Sequence, residues 1–225
     1  MLEGMRRGCL VLDFDGTILD TEEPVYVSWA EVWDAHGELL VREEWQKIIG
    51  TNGYDPAIEL EQRVGRPLDP ELHDRRRARR DELQARHLPR AGVVSWLAQA
   101  EALGVSVGIA SSSPVSWVES HLERLGLRDS FSCLSCCDDT IPAKPDPTSY
   151  RLACARLGAQ PIHSVAVEDS PHGVAASVGA GLFTIAFPHG LTADLDFSAA
   201  DLVVDSLDEI ELADALTRAS QRAST

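Results

Sequence analysis

A chain of 225 residues with 44% hydrophobic and 25% charged residues has the composition of a globular protein, long enough for one large domain or for a core carrying a smaller inserted one. Its formal charge of −16 disfavours nucleic acid, whose binding depends on basic surface, but leaves room for a small anion paired with a metal. No window approaches the ~18 consecutive apolar residues of a membrane span, so neither a membrane nor a nucleic acid is an expected partner.

In chain order, Met5-Arg6-Arg7 leads into the apolar Cys9–Leu12, which Asp13 ends far short of a signal-peptide core; the segment reads as a first strand in a cytoplasmic protein. Further apolar runs at Ser106–Ala110, Phe131–Leu134, Ser164–Val167, Phe183–Ala186 and Leu202–Val204 alternate with stretches of helical period. Those helices are expected at Val93–Leu103, Pro114–Leu125, Thr148–Leu157, Pro171–Ala180 and Leu207–Arg218. Gly104, Gly126, Gly158 and Gly181 stand just past four of them as stop signals. Strand and helix in alternation predict an α/β fold, a parallel sheet covered by helices. The small, polar tail Ala219–Thr225 is expected to be disordered.

The stretch from Thr21 to about Pro89 breaks this alternation. It has helical periodicity, interrupted at Gly50-Thr51-Asn52-Gly53 and Arg66-Pro67-Leu68-Asp69-Pro70, and reads as an inserted helical subdomain. Between Thr21 and Arg90 lie 11 of the 20 basic residues, among them Arg75, Arg76, Arg77, Arg79 and Arg80. Interleaved with Asp74, Asp81 and Glu82, that run reads as a solvated helix face; attraction of an anionic substrate or partner is the alternative. The five cysteines include one CxxC, Cys133 to Cys136, without a second pair or a nearby CxxH. They read as free thiols of a reducing compartment rather than as a zinc or redox site.

Open α/β sheets bind ligands beyond the carboxyl ends of their strands, so the residues after each apolar run locate the chemistry. After the first run come Asp13-Phe14-Asp15-Gly16-Thr17, after the second Ser111-Ser112-Ser113, and after the fourth Glu168-Asp169-Ser170; Ala143-Lys144-Pro145-Asp146-Pro147 opens the helix at Thr148. Alternate residues of an extended backbone share an orientation, so Asp13 and Asp15 face one pocket. One carboxylate there can attack phosphorus while its neighbour moves the proton at the bridging oxygen. Clustered carboxylates including Asp169 need a cation, and a hard oxygen set suits Mg²⁺. Donors near Ser111 can hold phosphoryl oxygens, and Lys144 can pair with both nucleophile and phosphate. Lys144 is one of only two lysines against 18 arginines, and a compact ammonium fits between carboxylate and phosphate where a planar guanidinium is bulky. Each motif alone has an ordinary reading: an Asp-Gly turn, an N-cap before Pro114, capping chemistry before Pro171, a surface lysine. Four of them, each at a strand end or its following loop, argue for one site.

On these motifs the chain resembles the haloacid dehalogenase superfamily, in its branch of sugar-phosphate phosphatases and β-phosphoglucomutase-like proteins. The matching segments are Asp13 through Glu22, Ala110-Ser111-Ser112-Ser113, Lys144-Pro145-Asp146-Pro147, and Val167 through Gly173. The resemblance implies a Rossmann-like doubly wound parallel sheet formed by residues 1–20 and 90–225, with an inserted α-helical cap at 21–89. It further implies Asp13 as nucleophile and Asp15 as general acid/base and backbone-carbonyl metal ligand. Asp169, assisted by Glu168, completes the Mg²⁺ site, and Ser111, Ser112 and Lys144 hold the phosphate. Asp15 and Asp169 argue against the metal-free dehalogenases, and Asp15 against phosphonatases. Mutases of this branch use a cap arginine and a lysine after the serine motif, where this chain has Gly53 and Pro114. The expected activity is therefore hydrolysis of a small phosphorylated metabolite by a monomer. A phosphomutase and a non-catalytic phosphate-sensing protein are the alternatives, and Gly50–Gly53 and Thr17–Glu22 are the expected specificity segments.

Overall fold

The computed structural model describes residues 8–49, 54–137 and 141–223. The chain runs β1 (Leu10–Leu12), α1 (Glu22–Ala35), α2 (Arg42–Gln46), α3 (Pro56–Val64), α4 (Leu72–Gln84), α5 (Val93–Leu103), β2 (Val107–Ser111), α6 (Val115–Leu125), β3 (Cys133–Cys136), α7 (Thr148–Arg156), β4 (Val165–Glu168), α8 (Pro171–Ala180), β5 (Phe183–Ala186), β6 (Leu202–Val203) and α9 (Leu212–Arg222). The six strands form one parallel sheet in the order β3-β2-β1-β4-β5-β6. This is the expected Rossmann-like, doubly wound arrangement, and β1 lies at the point where the strand order reverses.

Strand alternation builds a core on each face of the sheet. Leu10, Leu12, Val107, Ile109, Val165 and Val167 pack with Trp96, Val118, Leu122, Leu212 and Ala215, so α5, α6 and α9 cover one face. Val11, Ala110 and Ala166 pack with Tyr150, Ala153, Cys154 and Ala176 of α7 and α8 on the other. The same alternation separates the CxxC: Cys136 joins the first core while Cys133 packs against the second. None of the five cysteines forms a disulfide, although the Cys9 and Cys154 Sγ atoms lie 3.8 Å apart. A third cluster gathers Trp29, Trp33, Leu40, Trp45, Leu60 and Leu72 from α1 to α4 together with Leu191.

The glycine stop signals are used as expected: Gly104, Gly126 and Gly181 end α5, α6 and α8 in the left-handed conformation that glycine adopts without penalty. The last helix departs from expectation. The Ser206 hydroxyl accepts from the Asp208 amide while Glu209 accepts from the Ser206 amide, so the segment Leu207–Glu209 closes as a short 3₁₀ turn and α9 begins only at Leu212. The tail also departs from its expected disorder up to residue 223. Ala219 is fully buried, and Arg222 binds Asp201 and the Gly181 and Leu182 carbonyls at 2.6–3.0 Å. Among the described residues, no helix is long and apolar enough to cross a membrane.

Candidate active site

The carboxyl ends of β1, β2 and β4 open into a cleft of about 290 Å³. Asp13, Asp15, Ser111, Ser112, Lys144 and Asp169 line it on the sheet side, with Glu22, Val25 and Ile49 facing them from the helical segment. Register explains the convergence. Leu12 of β1 pairs with Ile109 of β2 and Val167 of β4, so the residues that follow these three reach one level of the sheet.

Asp13 is buried, and its carboxylate meets the Lys144 ammonium. The same ammonium donates to Glu168 Oε1 at 2.5 Å, and the Tyr150 hydroxyl donates to that oxygen at 2.5 Å. Carboxylate oxygens of Asp13, Glu168 and Asp169 all lie within 4.8 Å of one another. Glu168 is fully buried and its Oε2 is without a hydrogen-bond partner. Three carboxylates against one ammonium leave two uncompensated negative charges in a site shielded from water, which is strongly unfavourable unless protons or a cation neutralise them. The ionisation preferences agree. Burial pushes the Asp13 carboxyl up to about 8, opposed by Lys144 and helped by Glu168 and Asp15. Burial, Asp13 and Glu168 hold Asp169 well above the usual carboxylate range. Lys144 stays protonated, because Asp13 and Glu168 outweigh the cost of burying its charge. A divalent cation with oxygen ligands fits this donor set in both charge and chemistry.

Local structure fixes these groups. Thr17 Oγ1 stands 3.5 Å from Asp169 Oδ1, and a Cβ on Gly16 would meet Asp169 Oδ2 at 2.0 Å, so only glycine lets this turn pass over the carboxylate. Gly173 plays the same part for Glu168, whose Oε2 occupies the space within 1.9 Å of where a Cβ would lie. The Ser170 hydroxyl accepts from the Gly173 amide and caps α8, with Pro171 in its first turn. Arg90 donates to the carbonyls of Gly16, Phe187 and Pro188 at 2.5–2.9 Å, tying the turn after β1 to the loop after β5.

Asp15 occupies a different environment from its neighbours. Thr21 Oγ1 and the Trp117 indole N–H donate to its Oδ1 at 2.8 and 2.9 Å. Ser113 and Ser111 donate to its Oδ2 at 2.6 and 3.4 Å. Its carboxylate is thus engaged by these donors and is not one of the three clustered carboxylates. The serine run does not cap α6, whose N-cap is Pro114 with no side-chain bond. It surrounds Asp15 instead, while Ser112 Oγ accepts from the Lys144 amide at 3.2 Å and fastens the lysine loop. The Lys144–Pro145 peptide bond is cis. Glu22, in the first turn of α1, also faces this cleft; desolvation lifts its carboxyl to about 7, with Asp15 and Asp20 adding.

All seven residues expected from sequence therefore surround one cleft, Glu168 from just beneath its lining. Sequence reasoning passed over the side chains that hold them: Thr21, Ser113, Trp117, Tyr150 and Arg90. Thr21 and Ser113 lay within recognised motifs, so their proximity was readable. Trp117 and Tyr150 sit inside helices, where an aromatic residue reads as core. The arginine run is mostly a salt-bridged surface, with Arg75, Arg77 and Arg79 paired to Asp69, Asp74 and Glu31. The segment Gly50–Gly53, expected to influence specificity, lies outside the described residues.

The model of the haloacid dehalogenase-like hydrolase family matches residues 10–187. Among similar sequences, YhcW of Bacillus subtilis is 39% identical over 206 residues, covering 91% of this chain and 94% of that protein. The N-acetylmuramic acid 6-phosphate phosphatase of Pseudomonas aeruginosa is 30% identical, covering 97% and 98% respectively. Among solved structures, CbbY from Rhodobacter sphaeroides in complex with phosphate matches with a TM-score of 0.74 at 30% identity, covering 94% of this chain and 99% of that one.

Proposed function

The chain belongs to the haloacid dehalogenase-like hydrolase family and is a phosphatase, and from that premise we propose that it hydrolyses a small phosphate monoester through an aspartyl-phosphate on Asp13. The observation that carries this reading is the division of labour between two aspartates two residues apart. Asp13 is packed against Lys144 beside a carboxylate cluster, and Asp15 is held apart from that cluster by hydroxyl and indole donors. Different surroundings for neighbouring carboxylates are what separate nucleophile from proton carrier.

In the proposed first step an Asp13 oxygen forms a bond to phosphorus in line with the bridging oxygen. The bond from phosphorus to that oxygen breaks, and Asp15 delivers its proton to the departing alcohol. In the second step Asp15 takes a proton from the attacking water. The new phosphorus–oxygen bond releases inorganic phosphate, restores Asp13 and leaves Asp15 protonated for the next cycle. Ser111 and the Lys144 ammonium hold the phosphoryl oxygens throughout, with Ser112 fastening the Lys144 loop. Asp13, Glu168 and Asp169, with the Asp15 backbone carbonyl, form the proposed Mg²⁺ site, where the ion supplies the charge neutralisation that phosphate and carboxylates need.

Residues 21–89 form the proposed cap. They contribute Glu22, Val25 and Ile49 to the cleft, and their closing would exclude water from the phosphoryl group. A cleft of about 290 Å³ suits a small metabolite, and the carboxylates, hydroxyls and ammonium on its sheet side suit a phosphorylated sugar, polyol or biosynthetic intermediate. The relative from Pseudomonas aeruginosa, named for a phosphorylated amino sugar, supports that substrate class. The glycine and proline at positions 53 and 114 favour release of phosphate over its return to a second hydroxyl. The test is inorganic phosphate release from a panel of sugar phosphates, polyol phosphates and nucleotides, with Mg²⁺ or EDTA, for wild type and Asp13→Asn. Metal-dependent release abolished by the substitution is expected. Turnover by Asp13→Asn would exclude the mechanism, and an isomeric phosphate ester in the phosphorus NMR spectrum without release would identify a mutase.

A further inference from the structure

The Asp15 carboxylate is surrounded by four donors, and they are not equivalent. Thr21, Ser111 and Ser113 are hydroxyls, each able to donate or accept as the proton inventory changes. The Trp117 indole N–H can only donate. Its 2.9 Å bond to Oδ1 therefore requires that oxygen to be an acceptor whether Asp15 is ionised or protonated. In the acid form the carbonyl oxygen is the better acceptor, so this bond favours the proton on Oδ2, the oxygen facing Ser113 and the end of β2, where either serine hydroxyl can reverse to accept it.

Trp117 is itself held from three sides. It stands in the first turn of α6, its edge-to-face partner His121 lies 4.3 Å away one turn on, and the Arg80 guanidinium lies 4.7 Å over its ring. Arg80 comes from α4, in the helical segment. It is the most shielded of the ion-paired arginines in its run, its side chain 19% exposed against 39–59% for Arg75, Arg77 and Arg79. One face of this contact belongs to residues 21–89 and the other to the sheet and its helices. It is therefore made only when α4 lies over α6.

We propose that Trp117 is a positioning residue that assigns the transferable proton to Asp15 Oδ2, and that Arg80 couples this assignment to the placement of the helical segment. The inference rests on Asp15 being the general acid/base of the reading above. When α4 lies over α6, the cation stacked on the indole restrains the ring and strengthens its N–H as a donor. When α4 moves away, the ring loses that restraint and Asp15 loses its fixed orientation. Proton delivery is thereby confined to the arrangement in which residues 21–89 cover the cleft, which gives a specific role to one member of an arginine run in which Arg75, Arg77 and Arg79 pair with surface carboxylates.

The test uses kcat/KM for a series of substituted aryl phosphates whose leaving phenols span a range of acidity, a probe independent of the natural substrate. A positioned acid flattens the dependence on the leaving group, because poor leaving groups depend on the proton and good ones do not. Asp15→Asn, which removes the acid, sets the steep limit; a flat dependence in that variant would overturn the role of Asp15 itself. Trp117→Phe keeps the ring and removes the donor. It is expected to lower kcat/KM about tenfold for phenyl phosphate but less than about threefold for p-nitrophenyl phosphate, with KM nearly unchanged. Equal losses across the series, as from a structural disturbance, or no loss at all would overturn the proposal and leave the Asp13 mechanism standing. Arg80→Met is expected to steepen the dependence in the wild-type background and to add nothing to Trp117→Phe. Full additivity would remove Arg80 from the coupling.

Discussion

Replacing Gly173 by alanine tests whether the Glu168 carboxylate is held as tightly as the geometry requires. In an exposed helix this change would stabilise by about 1 kcal/mol, since glycine is a poor helix former. Here the new methyl group would lie 1.9 Å from Glu168 Oε2 and 2.0 Å from its Cδ, and Glu168 is fully buried. Relief requires the carboxylate to withdraw from Lys144 and Tyr150, each bonded to its Oε1 at 2.5 Å. Hydrogen bonds to charged groups contribute about 1.5–3 kcal/mol each, so losing both costs about 3–6 kcal/mol and the net loss is about 2–5 kcal/mol. For a chain of this size that lowers Tm by roughly 5–15 °C, measurable by calorimetry or circular dichroism with and without Mg²⁺. The Mg²⁺ concentration giving half-maximal phosphate release should rise in parallel. A variant melting at or above the wild-type temperature with unchanged Mg²⁺ dependence would refute the reasoning.

Other outcomes follow from the same geometry. Asp15→Asn should lower kcat by about 10²–10⁴-fold while binding of inorganic phosphate, followed by calorimetry, changes little. Lys144→Met leaves buried carboxylates without their ammonium and should cost about 3–5 kcal/mol of stability; urea titration should find part of that loss recovered at acid pH, where the carboxylates protonate. Asp13, held at about 8, and Asp169, also raised, bind protons more tightly folded than unfolded. Their contribution is complete below the ordinary carboxylate range and is lost as pH rises toward about 8. Thermal melts in EDTA should therefore lose stability across that window, and the Tm increment from Mg²⁺ should grow across it; an increment that shrinks with rising pH would contradict the proposed metal site. Deleting residues 219–225 removes the Arg222 anchor to Asp201 and the buried Ala219, and should lower Tm by several degrees, whereas a dispensable tail would leave it unchanged.

The sheet was legible because each strand is a short apolar run bounded by turn residues, and the residues following those runs had to meet once the strands lay parallel. The serine run was harder to read, since three hydroxyls before a proline resemble a helix cap. Only the fold reveals that Ser111 and Ser113 turn back to Asp15 across the β1–β2 pairing. The reverse holds for Ser170, which caps α8 although it stands in the same cleft. The bounds of the last helix are hard to read from sequence because Ser206 and Glu209 close only a short 3₁₀ turn, and because Ala219 looks like solvent-exposed tail until it is found in the core, as does Arg222 until its partners Leu182 and Asp201 are known. Trp117 carried no signal in the sequence: its indole acquires meaning only from an aspartate 102 positions away.

The most direct test of the account is to quench the enzyme during turnover with borohydride, which reduces an acyl phosphate, and to locate the modified residue by peptide mass spectrometry. Reduction of residue 13 to homoserine is expected, dependent on substrate and Mg²⁺ and enhanced in Asp15→Asn if its hydrolysis step is slowed more than its formation. Full phosphate release with no modification at Asp13 under any quench, or modification at another residue, would contradict it.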